Sequence, residues 1–252
     1  MNLLILHASP KKRGGASRFV SGLFRLFLPG ASAKTAALRG RQDFERALVY
    51  MADADAVCLS FPLYVDGLPS HVVEFLTLAE EYCQTHSRRF RLYAIANNGF
   101  IEGRQNRTAL QMLEAWCVRA GAVWGGGIGI GGGAMLRVLG IVYPVLIALT
   151  LLQMAASLFA QGAVPPDLSC SLVFQAAGWL FFNAGVLFAL ARLSRAVRKG
   201  RAMPDHYTRV LIPAFLFVPI ADLFMILSSL FHGRLLFTLL RRDGQPFDKE
   251  RR

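Results

Sequence analysis

The 252-residue sequence is poor in charge and has few cysteines. Charged residues make up 17 % of it and apolar residues 54 %, which is a high apolar share for a soluble protein. No two cysteines have the spacing of a metal or redox site, and none suggests a disulfide framework. We therefore expect no metal site, and we interpret the first three cysteines as core thiols of a reducing compartment. The cysteines are Cys58, Cys83, Cys117 and Cys170.

Other missing features narrow the function further. The apolar run before the first lysine covers only residues 3–6, which is too short for a signal peptide and predicts a first half in the cytoplasm. The net charge of +12 comes without a basic patch interleaved with aromatic residues, so no nucleic-acid partner is expected. No Ser-His-Asp arrangement is recognisable, and no histidine lies at ligand spacing from Cys, Asp or Glu. The sequence therefore offers no catalytic side chain and no metal ligand.

The second half of the chain is rich in long apolar runs, at residues 138–160, 170–191 and 210–231. Each run is long enough to cross a hydrocarbon core of about 30 Å as a helix. Buried helices of a soluble domain are the alternative, although such helices normally carry a polar stripe that is missing here. We predict an all-α transmembrane region over residues 137–240, followed by a basic tail over residues 241–252.

The charges around these runs predict their orientation. The loop between the first two runs holds Asp167 as its only charged residue, whereas six basic residues lie between the second run and the third. Basic loops are typical of the cytoplasmic side, so we predict a multi-pass protein of the cell membrane with its N-terminal domain in the cytoplasm. Pro213 and Pro219 leave open whether the third run spans or re-enters, and Asp222 within it should face protein, water or a partner.

Residues 1–136 alternate between strand-like and helix-like segments joined by short links. This alternation predicts an α/β domain with a doubly wound, five-stranded parallel sheet. Ligands of such sheets bind beyond the carboxyl ends of the strands, so the loops after His7, Phe61 and Ala96 should carry the site. The predicted strands are residues 2–7, 33–38, 56–61, 91–96 and 123–130, and the predicted helices are residues 17–28, 44–52, 70–84 and 105–120.

These three loops have different chemistry. The first, residues 8–17, joins small and basic residues to a helix start, which suits a phosphate; a solvated turn with Ser17 as an ordinary N-cap is the alternative. The second presents Tyr64 between prolines as a platform for a flat ring, and the third, residues 97–106, offers amides to a polar ring edge. A packed tyrosine and a surface turn are the alternatives. Together the loops suit flavin mononucleotide (FMN).

The same loops carry a family resemblance. The stretches "SPKKRGGAS", "ADAVCLSFPLYVDGLPSHVVEFL" and "NNGFIEGRQNRTALQMLEAWCVRAGAVWGGGIGIGGGAML" resemble the flavodoxin-like NADPH-dependent FMN reductases, over about residues 1–136 only. The resemblance implies FMN as cofactor and NAD(P)H as electron donor, with no iron-sulfur cluster because a compact cysteine cluster is missing. It implies phosphate contacts from Ser9, Lys11 and Ser17, ring contacts from Pro62, Leu63, Tyr64 and Gly67, and contacts to the pyrimidine edge from Asn98, Gly99 and Phe100.

Two departures from the family pattern bear on the phosphate. Ala8 stands where glycine is common, and Ala16 stands where a hydroxyl residue is common, which would weaken the phosphate cradle. A G-x-G-x-x-G match at residues 127–132 is a poor dinucleotide signal, because no βαβ unit follows it. We interpret it as flexible backbone near the ring or as a hinge into the membrane region.

Two functions from different classes follow. The first is a membrane-anchored, FMN-dependent oxidoreductase that transfers electrons from NAD(P)H to an unknown acceptor, such as a quinone or a membrane protein. The second is a non-catalytic flavin-binding sensor or assembly module that docks a membrane partner. A homodimer is a further expectation, since related soluble folds often pair. A domain that has lost flavin and serves as an anchor is a third interpretation.

Overall fold

The centre of the molecule is a six-stranded parallel sheet. The computed structural model describes residues 2–10, 15–64 and 66–231. The strand order is β2-β1-β3-β4-β5-β6, so the first five strands have the 2-1-3-4-5 order of the flavodoxin-like doubly wound fold. The predicted fold class is therefore confirmed. The strands are β1 (Asn2–His7), β2 (Ser32–Ala37), β3 (Ala56–Pro62), β4 (Arg91–Asn97), β5 (Val123–Gly131) and β6 (His206–Arg209).

Helices cover both faces of this sheet. On one face, α2, α3 and α4 pack on a core that includes Phe44, Phe75 and Trp116, and the Trp116 indole donates a hydrogen bond to the Leu76 carbonyl over 2.9 Å. The helices are α1 (Ala16–Leu26), α2 (Arg41–Met51), α3 (Ser70–His86), α4 (Arg107–Ala120), α5 (Gly133–Gln161), α6 (Pro166–Arg198) and α7 (Ala214–Phe231), with a short 3-10 helix at Gly103–Asn106.

The opposite face is covered by α1 and by the C-terminal half of α6. Ser60, on the face of β3 that looks away from α2–α4, donates a hydrogen bond to the Ser17 carbonyl of α1 over 3.0 Å. Tyr93 of β4 donates from its hydroxyl to the carbonyl of Ala196 in α6 over 3.3 Å and to that of Arg201 over 2.9 Å. The central strands are thus buried on both faces, which explains their continuous apolar sequences.

The sheet contains a sixth strand that the sequence analysis did not predict. β6 pairs in parallel with β5, from Ile128 opposite His206 to Gly131 opposite Arg209. By their internal contacts the described residues form one compact unit that ends at Leu211 and another that begins at Ile212. The sheet domain therefore extends beyond the boundary expected at residue 136, because half of α6 and all of β6 return to it. The region expected to be all-α also contributes a strand.

Glycines in β5 allow the backbone of the short 3-10 helix to approach the strand closely. An added Cβ at Gly129 would lie 2.7 Å from the Gly103 carbonyl oxygen, and one at Gly131 would lie 2.7 Å from the Gly103 backbone nitrogen. The intervening Ile128 and Ile130 point to the other face and are fully buried. Residues 127–131 of the G-x-G-x-x-G match thus belong to β5, where Gly129 and Gly131 admit a neighbouring backbone, and Gly132, with a left-handed φ of 73°, is the N-cap of α5. A role as flexible backbone near the ring or as a hinge into the membrane region stays a prediction.

Helices α5 and α6 form an antiparallel hairpin with an apolar outer surface. The two helices are long and apolar enough to cross a membrane, and only 17 % of the apolar window of each is buried. Their polar residues meet between the helices, where Gln175 donates hydrogen bonds to the hydroxyls of Thr150 (3.0 Å) and Ser171 (3.1 Å). Apolar residues outside and polar residues between helices are typical of membrane bundles.

The third apolar run contains α7. This helix has Pro219 in its interior, and Asp222 within it is exposed. Whether the run spans or re-enters stays a prediction. The basic tail at residues 241–252 lies outside the described residues.

Candidate functional site

The predicted site lies at the carboxyl ends of the neighbouring strands β1 and β3, whose following connections lead toward opposite edges of the sheet. The chain leaves β1 toward β2 on one side, while β3 lies on the other, which creates the crevice used by ligands of doubly wound sheets. The backbone N–H of Ala8 donates to the Ser60 carbonyl over 2.8 Å, and the N–H of Leu38 donates to the His7 carbonyl over 3.0 Å. Both bonds hold the end of β1 in place as the first loop begins.

The start of α1 is open to an anion. Its N-cap is Gly15, no side chain of the described residues caps the helix, and its first turn contains no acidic residue. The first N–H groups of a helix have no partner within the helix, and they carry the positive end of its dipole. The buried Ser9 lies against Gly15 so closely that a Cβ on Gly15 would overlap the Ser9 hydroxyl. Lys11, the third predicted phosphate contact, lies outside the described residues.

Ser17 is placed differently from the alternative role that the sequence suggested. It lies inside α1 and is fully buried, so the interpretation as an N-cap is wrong, since Gly15 holds that position. Its hydroxyl oxygen accepts a hydrogen bond from the Asn97 amide nitrogen over 2.9 Å, and the same nitrogen donates to the Phe61 carbonyl over 2.9 Å. Asn97, which begins the third predicted loop but is not among the contacts that the resemblance implies, thus ties α1 to the ends of β3 and β4. The sequence feature that could have identified Asn97 is its position as a polar residue directly at the end of a buried strand.

The second loop is a tight turn that presents an aromatic ring. Tyr64 and Gly67 exchange backbone hydrogen bonds of 3.1 and 3.0 Å, and Asp66 has a left-handed φ of 60°. The Leu63 N–H donates to the Asn97 carbonyl over 2.7 Å, which fixes the turn to the neighbouring strand. Pro62 is the last residue of β3, and the Tyr64 side chain is 49 % exposed. The turn therefore holds the ring at the carboxyl edge of the sheet and open to solvent.

The third loop combines a buried amide with an exposed ring. Asn98 donates from its side chain to the Glu102 carbonyl over 2.9 Å, while its buried Oδ1 has no hydrogen-bond partner among the described residues. Gly99 borders open space, and Phe100 is 61 % exposed. The Gly133 N–H at the start of α5 donates to the Asn98 carbonyl over 2.7 Å. The loop is thus bound directly to the base of the α5–α6 hairpin.

Two histidines lie beneath the first loop. Burial, reinforced by the nearby charges of Arg18 and Arg39, lowers the pKa of His7 below its ordinary value of 6.5, so its imidazole is neutral at pH 7. His71 places its Nε2 3.1 Å from the Ala8 carbonyl oxygen, which supports the first residue after β1. His71 therefore supports the first loop from below, and His7 is a buried, neutral residue at the end of β1.

No protein-family model matches the sequence, and no curated protein matches it either. Similar solved structures include a Trp repressor binding protein from Bacillus subtilis, with 16 % identity over 52 % of this chain and 85 % of that one, at a TM-score of 0.44. An NAD(P)H:quinone oxidoreductase from Methanothermobacter marburgensis is 16 % identical over 52 % of this chain and 84 % of its own, at a TM-score of 0.42. A flavoenzyme NAD(P)H:(acceptor) oxidoreductase from Paracoccus denitrificans is 13 % identical over 49 % and 75 %, also at 0.42.

The residues at this edge fit a flat ring that carries a phosphate. The uncapped start of α1 suits the phosphate, and the Oδ1 of Asn98 is a buried acceptor that a ring N–H would satisfy. Tyr64 and Phe100 offer exposed aromatic surface on neighbouring loops. Of the ten residues implied by the resemblance, the described ones all lie on these three loops or at their ends, and the hydroxyl of Ser17 already accepts a hydrogen bond from Asn97.

Proposed function

We propose that the chain is a membrane-anchored flavoprotein oxidoreductase that uses FMN to transfer electrons from NAD(P)H to a lipid-soluble acceptor such as a quinone. One observation carries the proposal: the 2.7 Å hydrogen bond from the Gly133 N–H to the Asn98 carbonyl joins the candidate site to the base of the apolar hairpin. If the hairpin enters lipid, the carboxyl edge of the sheet faces the bilayer. An acceptor dissolved in the membrane then meets the site without crossing water.

The residues of this chain have binding and orienting roles in the proposal. The start of α1 and Ser9 hold the phosphate, Tyr64 and Phe100 cover the ring, and Asn98 accepts a hydrogen bond from its polar edge. FMN, when bound, supplies a redox centre between a nicotinamide and the acceptor. The neutral, buried His7 donates no proton to the reaction, and the mechanism requires no acid or base from the protein. The exposed face of the site remains available to the two substrates in turn.

The membrane part of the proposal rests on the hairpin. Its helices of 29 and 33 residues are about 43 and 50 Å long, which exceeds the roughly 30 Å of a hydrocarbon core. In α6 the surplus length is the C-terminal part that packs on the sheet, and in α5 it includes the buried first turn. Basic residues in the last turn of α6, Arg195 and Arg198, favour a cytoplasmic location for the sheet domain.

An absorption spectrum of the full chain, purified in mild detergent, tests the cofactor. We expect a yellow protein that NAD(P)H bleaches and that turns over faster with a long-tailed quinone in vesicles than with its short-tailed, water-soluble analogue. A colourless protein that ignores added FMN would refute the proposal. Bound FMN without steady-state NAD(P)H oxidation would instead favour the non-catalytic sensor or docking module.

Substitution of Tyr64 tests the geometry of the site. Tyr64→Ala removes an exposed ring, so we expect FMN affinity to fall about ten-fold while the melting temperature stays unchanged. Tyr64→Phe keeps the ring and should retain wild-type affinity. If both variants bind FMN as the wild type does, the ring does not lie against Tyr64.

A further inference from the structure

Two glutamines of the apolar hairpin lie in opposite environments. Gln175 lies between the two helices, where its amide nitrogen donates hydrogen bonds to the hydroxyls of Thr150 and Ser171. Gln153 of α5 is exposed on the outer side of the hairpin, and it has no hydrogen-bond partner among the described residues. The hairpin therefore satisfies one amide internally and leaves the other uncovered.

The depth of Gln153 along α5 makes its exposure unfavourable. The outer side of α5 is exposed from Ile141 to Gln161, a length of about 30 Å that equals the thickness of a hydrocarbon core. Gln153 lies about 3 Å from the middle of that length. If the hairpin enters the bilayer, as the proposed function requires, the amide is surrounded by hydrocarbon, where an unpaired polar group is strongly disfavoured. Gln153 therefore needs a polar partner at its own depth.

The neighbours of Gln153 form one apolar face along α5. Its exposed residues follow one another at alternating intervals of four and three positions, which is the spacing of helices that pack along a shared seam. This face differs from the side of α5 that lies against α6, where Thr150 contacts Gln175. We call it the Gln153 face, and its residues are Val142, Leu146, Leu149, Gln153, Ala156 and Ala160.

A second copy of the chain is the partner that this face fits. A glutamine amide carries N–H donors and an acceptor oxygen, so two glutamines are able to bond to each other. Two copies that are inserted in the same orientation place Gln153 at the same depth, and a two-fold axis beside α5 brings one amide to the other. A different protein would need a polar residue at the matching depth.

We propose that the chain forms a parallel homodimer in the membrane through the Gln153 face, with a hydrogen bond between the two Gln153 amides. The proposal rests on the membrane part of the proposed function. Leu146 and Leu149 would pack in the half of the seam nearer the sheet domain. Ala156 and Ala160 would let the two backbones approach closely toward the hairpin tip, as small residues do between membrane helices.

Energy transfer between chains labelled at Cys170 tests the dimer in vesicles. Cys170 is exposed near the hairpin tip and the other three cysteines are buried, so a maleimide dye attaches at one position. Dilution of donor-labelled and acceptor-labelled chains with lipid gives their dissociation constant. Gln153→Leu should raise this constant about ten-fold, because the hydrogen bond across the seam is lost. Gln153→Asn keeps an amide and should retain most of the affinity, whereas equal constants for Gln153→Leu and the wild type would overturn the proposal.

Two adjacent cysteine substitutions test which side of α5 forms the contact. Leu149→Cys lies on the Gln153 face, and Ala148→Cys is the matched control, because Ala148 is also exposed but lies about 100° around the helix at nearly the same depth. Both variants are made in a Cys170→Ser chain and oxidised in native membranes. We expect a disulfide-linked dimer from Leu149→Cys and mainly monomer from Ala148→Cys. Equal dimer from both, or a Leu149→Cys adduct with a different protein, would contradict the seam.

Two further readouts separate this proposal from the proposed function. A chain that stays in the membrane through an alkaline carbonate wash, but shows no energy transfer at a high protein-to-lipid ratio, would overturn the dimer alone. Release by carbonate would refute the membrane anchoring and the dimer with it. The flavin spectrum of Gln153→Leu should equal that of the wild type, because the substitution lies on the hairpin and leaves the ring loops intact.

Discussion

The side-chain amide nitrogen of Asn97, at the end of β4, lies 2.9 Å from the hydroxyl oxygen of Ser17 in α1 and donates a hydrogen bond to it. Both side chains are buried, and the residues are 80 positions apart in the sequence. The bond joins the first and third loops of the candidate site from below. It therefore holds the phosphate end and the ring-edge end of the site at a fixed separation.

Ser17→Ala should destabilise the protein by about 1–3 kcal/mol, because one buried N–H of Asn97 loses its acceptor. The measurement is chemical unfolding of the detergent-solubilised chain. Ser21→Ala is the control, since Ser21 is a buried residue of the same helix whose hydroxyl donates to the Arg18 carbonyl one turn away and so makes a local bond. Equal stabilities for the two variants would show that the link between Ser17 and Asn97 contributes nothing.

Gly15→Ala should weaken FMN binding about ten-fold, the equivalent of one charge-assisted hydrogen bond. The added methyl group would overlap the Ser9 side chain and push the first loop away from the start of α1. Ser9→Gly in the same chain removes the overlap and should restore the stability of the Gly15→Ala variant. Fluorescence titration with FMN and thermal unfolding measure the two effects, and an unaltered affinity in Gly15→Ala would contradict the phosphate assignment.

Gly103→Ala should destabilise the sheet domain by about 1–3 kcal/mol or more through overpacking. The new Cβ would lie 2.6 Å from the Gly129 carbonyl oxygen and even closer to that of Thr208, so the backbone of β5 or β6 would have to shift. Gly99→Ala is the matched control, because its Cβ would meet open space. Thermal unfolding of both variants tests whether β6 is held against the short 3-10 helix, and a stable Gly103→Ala variant would show that it is not.

The ionisation of Asp205 should lower the stability of the folded protein as the pH rises from about 4. Burial raises the pKa of this carboxyl above its ordinary value of 3.8, although hydrogen bonds from Gly127 and Trp124 oppose the effect. The folded state thus holds the proton more tightly than the unfolded state, so the stabilisation is complete below pH 3.8 and is lost as the pH rises through the raised value.

Melting temperatures between pH 4 and 7 for the wild type and Asp205→Asn check this prediction. The asparagine does not titrate, so the melting temperature of the wild type should fall relative to that of the variant as the pH increases. A difference that is constant across the range, or that moves in the other direction, would exclude a raised pKa for Asp205.

Cys170 should react with a membrane-impermeant maleimide added to cells whose outer envelope has been removed and whose cell membrane is intact. It lies in the second turn of α6, near the tip of the hairpin, and it is exposed. Cys58, Cys83 and Cys117 should stay unlabelled, because they are buried and burial raises the pKa of each thiol. Labelling that requires cell lysis, with Cys170→Ser as the control for specificity, would place the hairpin tip on the cytoplasmic side.

The buried strands and the cysteines were predictable because their signal is local. β1, β3 and β4 are continuous apolar runs, and a strand covered on both faces has that pattern whatever the rest of the chain does. The three loops were placed together for a topological reason, since the carboxyl ends of parallel strands share one edge. The burial of Cys58, Cys83 and Cys117 is confirmed as expected for core thiols.

Other features have no local signal. In β6 the first three residues, His206 to Thr208, are half-buried and Arg209 is exposed, and the strand lacks an apolar pattern, so nothing in it predicts a strand. The role of Ser17 depends on Asn97, and a helix start by itself does not distinguish a buried serine from a capping one. The alternating glycines of β5 match a nucleotide-binding motif in sequence, and only the structure shows that they admit a neighbouring backbone.

Taken alone, the sequence determined the alternation of strands and helices, the apolar character of the hairpin and the chemistry of the loops, because each depends on neighbouring residues. Only the tertiary structure decided that α6 divides its length between an apolar outer surface and the sheet, and that β6 completes the sheet. The bond from Tyr93 to the Ala196 carbonyl spans 103 residues, and such a contact depends on the packing of distant segments and not on the pattern within either one.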